Sequence, residues 1–141
     1  MMLPIMTILA GLAATAAEPP AMLDIEVRGL RSSRGQIHLC MTRERAHFPD
    51  CTRDPSGLRR TVSATVARLR FANVPAGSYA VTLVHDENSN KRLDKLLGIP
   101  REGFGFSRNP VVRFGAPKFE DVRIQVGPGV ARALMRVQYL L

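Results

Sequence analysis

Tryptophan is absent from this sequence of 141 residues, and two tyrosines with six phenylalanines bring aromatics to only 6%. Base-stacking platforms and aromatic sugar clefts both depend on such rings, so recognition of those kinds is disfavoured. Cysteine is scarcer still. Cys40 and Cys51 form no C-x-x-C pair, and two thiolates cannot complete a four-ligand zinc site. No apolar run reaches the roughly 20 residues of a membrane-spanning helix. Acidic residues are outnumbered, twelve against twenty basic, giving a formal charge of +8. The 45% hydrophobic fraction and the interspersed charges still exclude a disordered basic tail. A chain of this length builds one core rather than two.

What is present begins with an address. Leu3 to Ala14 are apolar and uncharged, and Thr15-Ala16-Ala17-Glu18-Pro19-Pro20 follow. A short hydrophobic stretch before small residues predicts a secretory signal peptide over residues 1–17, cut after Ala16 or Ala17, ahead of a single domain over residues 18–141. The expected location is secreted or periplasmic, with no transmembrane anchor after cleavage. An oxidising compartment would let Cys40 and Cys51 join and staple the loop between them. The alternative is two unpaired thiols, with Cys40 acting as a small buried hydrophobe.

Downstream the apolar residues recur with period two, the pattern of half-buried strands. Leu23, Ile25 and Val27 alternate with Asp24, Glu26 and Arg28, and Ile37, Leu39 and Met41 alternate with Gln36, His38 and Cys40. With the Arg31–Gly35 turn between them, these two segments read as a hairpin. One or two strands follow between Thr61 and Val74. Tyr79 to Val84 is apolar on both faces, as a covered central strand should be. Val122 to Val126 and Ala133 to Tyr139 alternate again. The expected architecture is an all-β, seven-stranded sandwich with one long ordered loop from Asp86 to Lys118. Phe104, Phe106 and Phe114, with Phe119 directly after it, give that loop the apolar area to fold down, so it is where function is sought. One turn of helix is expected around Leu93 to Leu97.

The loop opens on His85-Asp86-Glu87-Asn88-Ser89-Asn90-Lys91-Arg92-Leu93-Asp94. Counted from Asp86, oxygen-bearing side chains stand at alternate positions, the front half of a calcium loop, with Asp86, Asn88, Asn90 and Asp94 as ligands and the sphere closed by Glu102 from further along or by Glu87 from beside it. Lys91 stands where the turn glycine belongs and Leu97 where a bidentate glutamate belongs. The competing reading is ion-free: the same side chains cap backbone groups through Asx-turns. Further on, Gly98 to Ser107 spaces glycines among aromatics without the lysine of a phosphate loop, and reads as a Phe-anchored lid.

The segments HDENSNKRLD, LGIPREGFGFS and FGAPKFED together resemble the secreted bacterial domain-of-unknown-function family 2141 over Leu23 to about Leu141. The resemblance implies export and an immunoglobulin- or transthyretin-like sandwich, and implies no activity. Its marked residues fall on His85, Asp86, Asn88, Asn90, Asp94, Gly98, Pro100, Glu102, Gly105, Ser107 and Phe119, with Lys91 departing from the usual glycine.

Two function classes follow. The first is a non-catalytic binding or envelope-associated module whose basic surface meets anionic envelope components or an acidic protein. Apart from Lys91, Lys95 and Lys118, its cations are all arginines, which can grip phosphate and carboxylate bidentately. Export disfavours nucleic acid as a partner. The second is a hydrolytic or other enzyme using His85, Asp86, Glu87 and Glu102 as an acid–base cluster; no nucleophile elbow or paired-histidine motif accompanies them.

Overall fold

The computed structural model describes residues 11–14, 19–90, 95–96 and 99–141. Its strands are β1 (Ala21–Arg28), β2 (Gln36–Thr42), β3 (Leu58–Ser63), β4 (Arg68–Val74), β5 (Gly77–Asp86), β6 (Lys95–Leu96), β7 (Ile99–Pro100), β8 (Gly103–Phe106), β9 (Ile124–Val126) and β10 (Gly129–Arg136). A single turn of helix, α1 (Phe119–Val122), precedes β9. Among the described residues no helix is long and apolar enough to cross a membrane.

Two principal sheets form an all-β sandwich. One has the order β10-β1-β4, with β1 parallel to β10 and antiparallel to β4. The other runs β3-β2-β5-β8, and β9 shares the β8 edge of β5. Period-two alternation turns Leu23, Ile25 and Val27 of β1 inward onto Ile37, Leu39 and Met41 of β2 and Tyr79, Val81 and Leu83 of β5, all buried. The Tyr79 hydroxyl donates to the Pro75 carbonyl at 2.6 Å and closes the turn that starts β5.

The expected β1–β2 hairpin does not form. Both edges of β1 are taken by β10 and β4, and β2 lies between β3 and β5, so the Arg31–Gly35 turn passes from one sheet to the other. The stretch from Thr61 to Val74 does supply parts of two strands, β3 and β4. A β-bulge bends β4, where Ala21 and Leu23 face Val74 and Phe71 and Asn73 takes φ 53°.

The long connection after β5 contains a strand where a lid was expected. Gly103–Phe106 pairs with Thr82–His85, placing Phe104 and Phe106 on the outer face of the sheet beside Val84 and Thr82. There Phe104, Phe106, Ala80, Phe119 and Val122 form a second buried cluster. Cys40 and Cys51 are joined, their Cα atoms 6.0 Å apart, and the stapled loop between them lays Phe48 edge-on against Phe106 and Phe119 at 5.7 and 6.0 Å. Of the helical turn expected at Leu93 to Leu97, residues 93, 94 and 97 lie outside the described set, and Lys95–Leu96 is extended and paired with Ile99–Pro100.

Ser107 joins the two segments that share the edge of β5. Its amide donates to the Val81 carbonyl at 2.9 Å, its hydroxyl accepts from the Val81 amide at 3.0 Å and donates to the Val122 carbonyl, and the residue is fully buried.

Candidate functional site

β5 ends by delivering two consecutive residues to opposite faces, as a strand must. His85 faces inward and Asp86 outward, and both are fully buried. The Nε2 of His85 lies 2.8 Å from the Arg34 carbonyl, which only accepts, so Nε2 carries the proton. Its Nδ1 then accepts from the Tyr139 hydroxyl at 2.8 Å, and that oxygen accepts in turn from the Arg31 amide at 3.1 Å. Both ring nitrogens are consumed in tying β5 to the cross-sheet turn and the C-terminal segment.

Asp86 meets a histidine the sequence reading did not assign to the cluster. His38, on the outer face of β2, places Nε2 2.9 Å from Asp86 Oδ2 and Nδ1 2.9 Å from the Thr61 hydroxyl on β3. With the carboxylate accepting from Nε2–H, Nδ1 is the acceptor for the Thr61 proton. The line Asp86–His38–Thr61 therefore has the polarity of an acid–base relay, and Thr61 is exposed at its outer end. The other Asp86 oxygen accepts from the Asn90 amide at 3.1 Å, and Asn88 Oδ1 accepts from the same amide at 3.2 Å. These are the backbone-capping bonds of an Asx-type turn. Gly103 pairs with His85 at the end of the β5–β8 ladder, and Glu102, the residue before β8, is also buried. Among the described residues no group of three or more His, Cys, Asp or Glu is arranged to hold a metal ion. Asp94 lies outside the described residues.

Glu87 belongs to a different assembly. Its carboxylate accepts from Arg31 Nε at 2.8 Å, Ser32 Oγ at 2.9 Å and Arg34 at 3.2 Å. The Arg31 guanidinium also stacks 4.5 Å from the centre of the Tyr139 ring and donates to the carbonyls of Arg101 and Leu141. Arg31 thus gathers the turn after β1, the turn after β5 and the chain end. Among the sequence-selected residues the structure brings together Asp86, Asn88 and Asn90, buries Glu102 just before β8, and sends His85 and Glu87 to the Arg31–Tyr139 network.

The profile of domain-of-unknown-function family 2141, described as an uncharacterized protein conserved in bacteria, matches residues 25–133. The chain belongs to this family. No curated protein and no solved structure matches it. In this family 2141 chain, the matched span runs from the middle of β1 into β10 and includes the Asp86–His38–Thr61 line.

The Arg31 guanidinium, hydrogen-bonded to Glu87, holds that carboxyl below the usual carboxylate range, opposed by burial and reinforced by Ser32. A depressed folded pKa means that the unfolded chain binds more protons between the two values. The resulting stability is full above the unfolded value of about 4.3 and is lost as pH falls through the lower folded value. Glu87→Gln should therefore flatten part of the decline in thermal midpoint as pH falls below the unfolded value of about 4.3. A residual slope is expected, because Asp24, Asp50 and Asp54 are also held low by bonds to Arg70, Thr52 and Thr42.

The remaining notable surface is the outer face of the three-stranded sheet. It presents Arg28 from β1, Arg68 and Arg70 from β4, and Arg132 and Arg136 from β10, all exposed. Asp24 pairs with Arg70 and Glu26 with Arg28, while Arg68, Arg132 and Arg136 make no ion pair among the described residues. Asp24, Glu26, Arg68, Arg70, Arg132 and Leu134 line a shallow depression there.

Proposed function

We propose that this is an exported, non-catalytic envelope module that docks through the open basic face of its three-stranded sheet onto anionic envelope components. The carrying observation is the distribution of charge: one sheet face is covered by the phenylalanine cluster, and the other is left open with five arginines against two acids. The Cys40–Cys51 disulfide supports export, since such bonds persist in oxidising compartments. Each arginine near an anionic surface contributes about 1 kcal/mol, so the triple variant Arg68→Gln/Arg132→Gln/Arg136→Gln should lose on the order of 3 kcal/mol of binding. Retention on heparin as salt is raised measures this. Indifference of the wild type to salt removes the proposal.

Calcium at Asp86, Asn88, Asn90, Asp94 and Glu102 is a separate proposal, supported by the burial of two carboxylates, Asp86 at the end of β5 and Glu102 just before β8. Its test is the thermal midpoint: no rise at millimolar calcium removes it. The enzymatic alternative draws on the Asp86–His38–Thr61 geometry. Ester turnover that is lost in Thr61→Val and kept in the triple arginine variant would favour it over surface docking.

A further inference from the structure

Phenylalanine is buried or half-buried at Phe48, Phe71, Phe104, Phe106 and Phe119, yet Phe114 is 97% exposed and neighbouring Val111 is 81% exposed. Their segment, from Arg108 to Lys118, carries Arg108, Arg113 and Lys118 and no acidic residue. All three cations are exposed. The tip is also held out by its base. Val112 packs on the second apolar cluster, and its amide donates to Gln138 Oε1 at 3.3 Å. Gln138 Nε2 donates to the Pro110 carbonyl at 3.0 Å. Asn109 bonds the edge of β10 twice, donating to the Leu134 carbonyl at 2.7 Å and accepting from the Arg136 amide at 2.8 Å. Beyond these anchors Gly115 turns with φ +67° into open space.

We infer that this loop is a membrane-insertion finger: Val111 and Phe114 enter the headgroup–acyl boundary of an anionic bilayer while Arg108, Arg113 and Lys118 meet its phosphates. An exposed apolar tip in a segment that carries three cations and no acid matches the two parts of such an interface, hydrocarbon below and negative charge above. The bonds from Asn109 to β10 set the finger along the same strand that carries Arg132 and Arg136, so finger and basic face can engage one surface. The inference rests on the anionic-surface role proposed above and specifies its partner as lipid.

The chain has no tryptophan, so Phe114→Trp makes a probe that reports this position alone. In the full chain, its emission should shift blue on phosphatidylethanolamine vesicles containing phosphatidylglycerol, be quenched by bromine placed on the acyl chains, and stay unshifted with heparin. Val111→Ser/Phe114→Ser should weaken vesicle binding by about tenfold or more while leaving heparin retention unchanged. Vesicle binding with unshifted emission, or an undiminished double serine variant, overturns the finger and leaves the arginine face standing. A blue shift on self-association without vesicles also overturns it, in favour of a second copy as the occupant. Wild-type protein that binds neither heparin nor vesicles overturns the broader anionic-surface reading.

Discussion

Gly35→Ala is expected to unfold the protein or cost more than about 4 kcal/mol, at the extreme of what single substitutions do. Gly35 sits in the cross-sheet turn with φ +75°, and a Cβ there would lie 2.0 Å from the Asp86 carbonyl oxygen and 2.7 Å from Glu87 Cα. Those atoms are backbone and cannot rotate away. Relief requires moving the end of β5, which carries His85, Asp86 and Glu87 into their networks. Gly115→Ala is the matched control, because φ is +67° and nothing lies within 4 Å of its Cβ. It should cost only the left-handed conformational penalty of about 1–2 kcal/mol. Urea midpoints compare the two directly; equal losses would contradict the packing account.

Removing the staple should have the next largest effect. Cys40→Ala/Cys51→Ala frees a loop closed by a separation of 11 residues, and loop entropy alone assigns about 3 kcal/mol to such a closure. The loop also carries Phe48 onto Phe106 and Phe119, so the second cluster loosens with it. The wild type should lose midpoint on reduction, and the double variant should be insensitive to reductant. A reductant-insensitive wild type would mean that the staple contributes little to the outer cluster.

The elements legible in the sequence were those whose burial is written locally. β5 is apolar on both faces because strands flank it and layers cover it, and its residues say so without reference to anything distant. The disulfide followed from the expected compartment and the even cysteine pair. The β1–β2 hairpin failed because strand pairing is a non-local property: the parallel partner of β1 is β10, whose alternation looks the same whichever strand it joins. β8 reads as loop in the sequence because its inner-facing positions are glycines. A Cβ at Gly103 would collide with Val137 and Tyr139, and one at Gly105 with the Arg136 carbonyl, so other segments supply the covering that its own side chains do not.

The site was legible in part for the same reason. The polar loop announced Asp86, Asn88 and Asn90, whose capping bonds are local. His38 did not announce itself, since its partners Asp86 and Thr61 lie 48 and 23 residues away. The available signal was its place on β2: a histidine alternating with Gln36 and Cys40 on the half-buried outer face. Glu87 adjoins Asp86 in sequence but lies past the end of β5, in the turn, where its anchor is Arg31.

The proposed role stands most directly on co-sedimentation of the wild-type chain with phosphatidylglycerol-containing vesicles across a salt series. Strong partition is expected at low ionic strength, declining as salt rises and reduced throughout in the triple arginine variant. Partition that is absent at low salt, or that matches between wild type and variant, would contradict it.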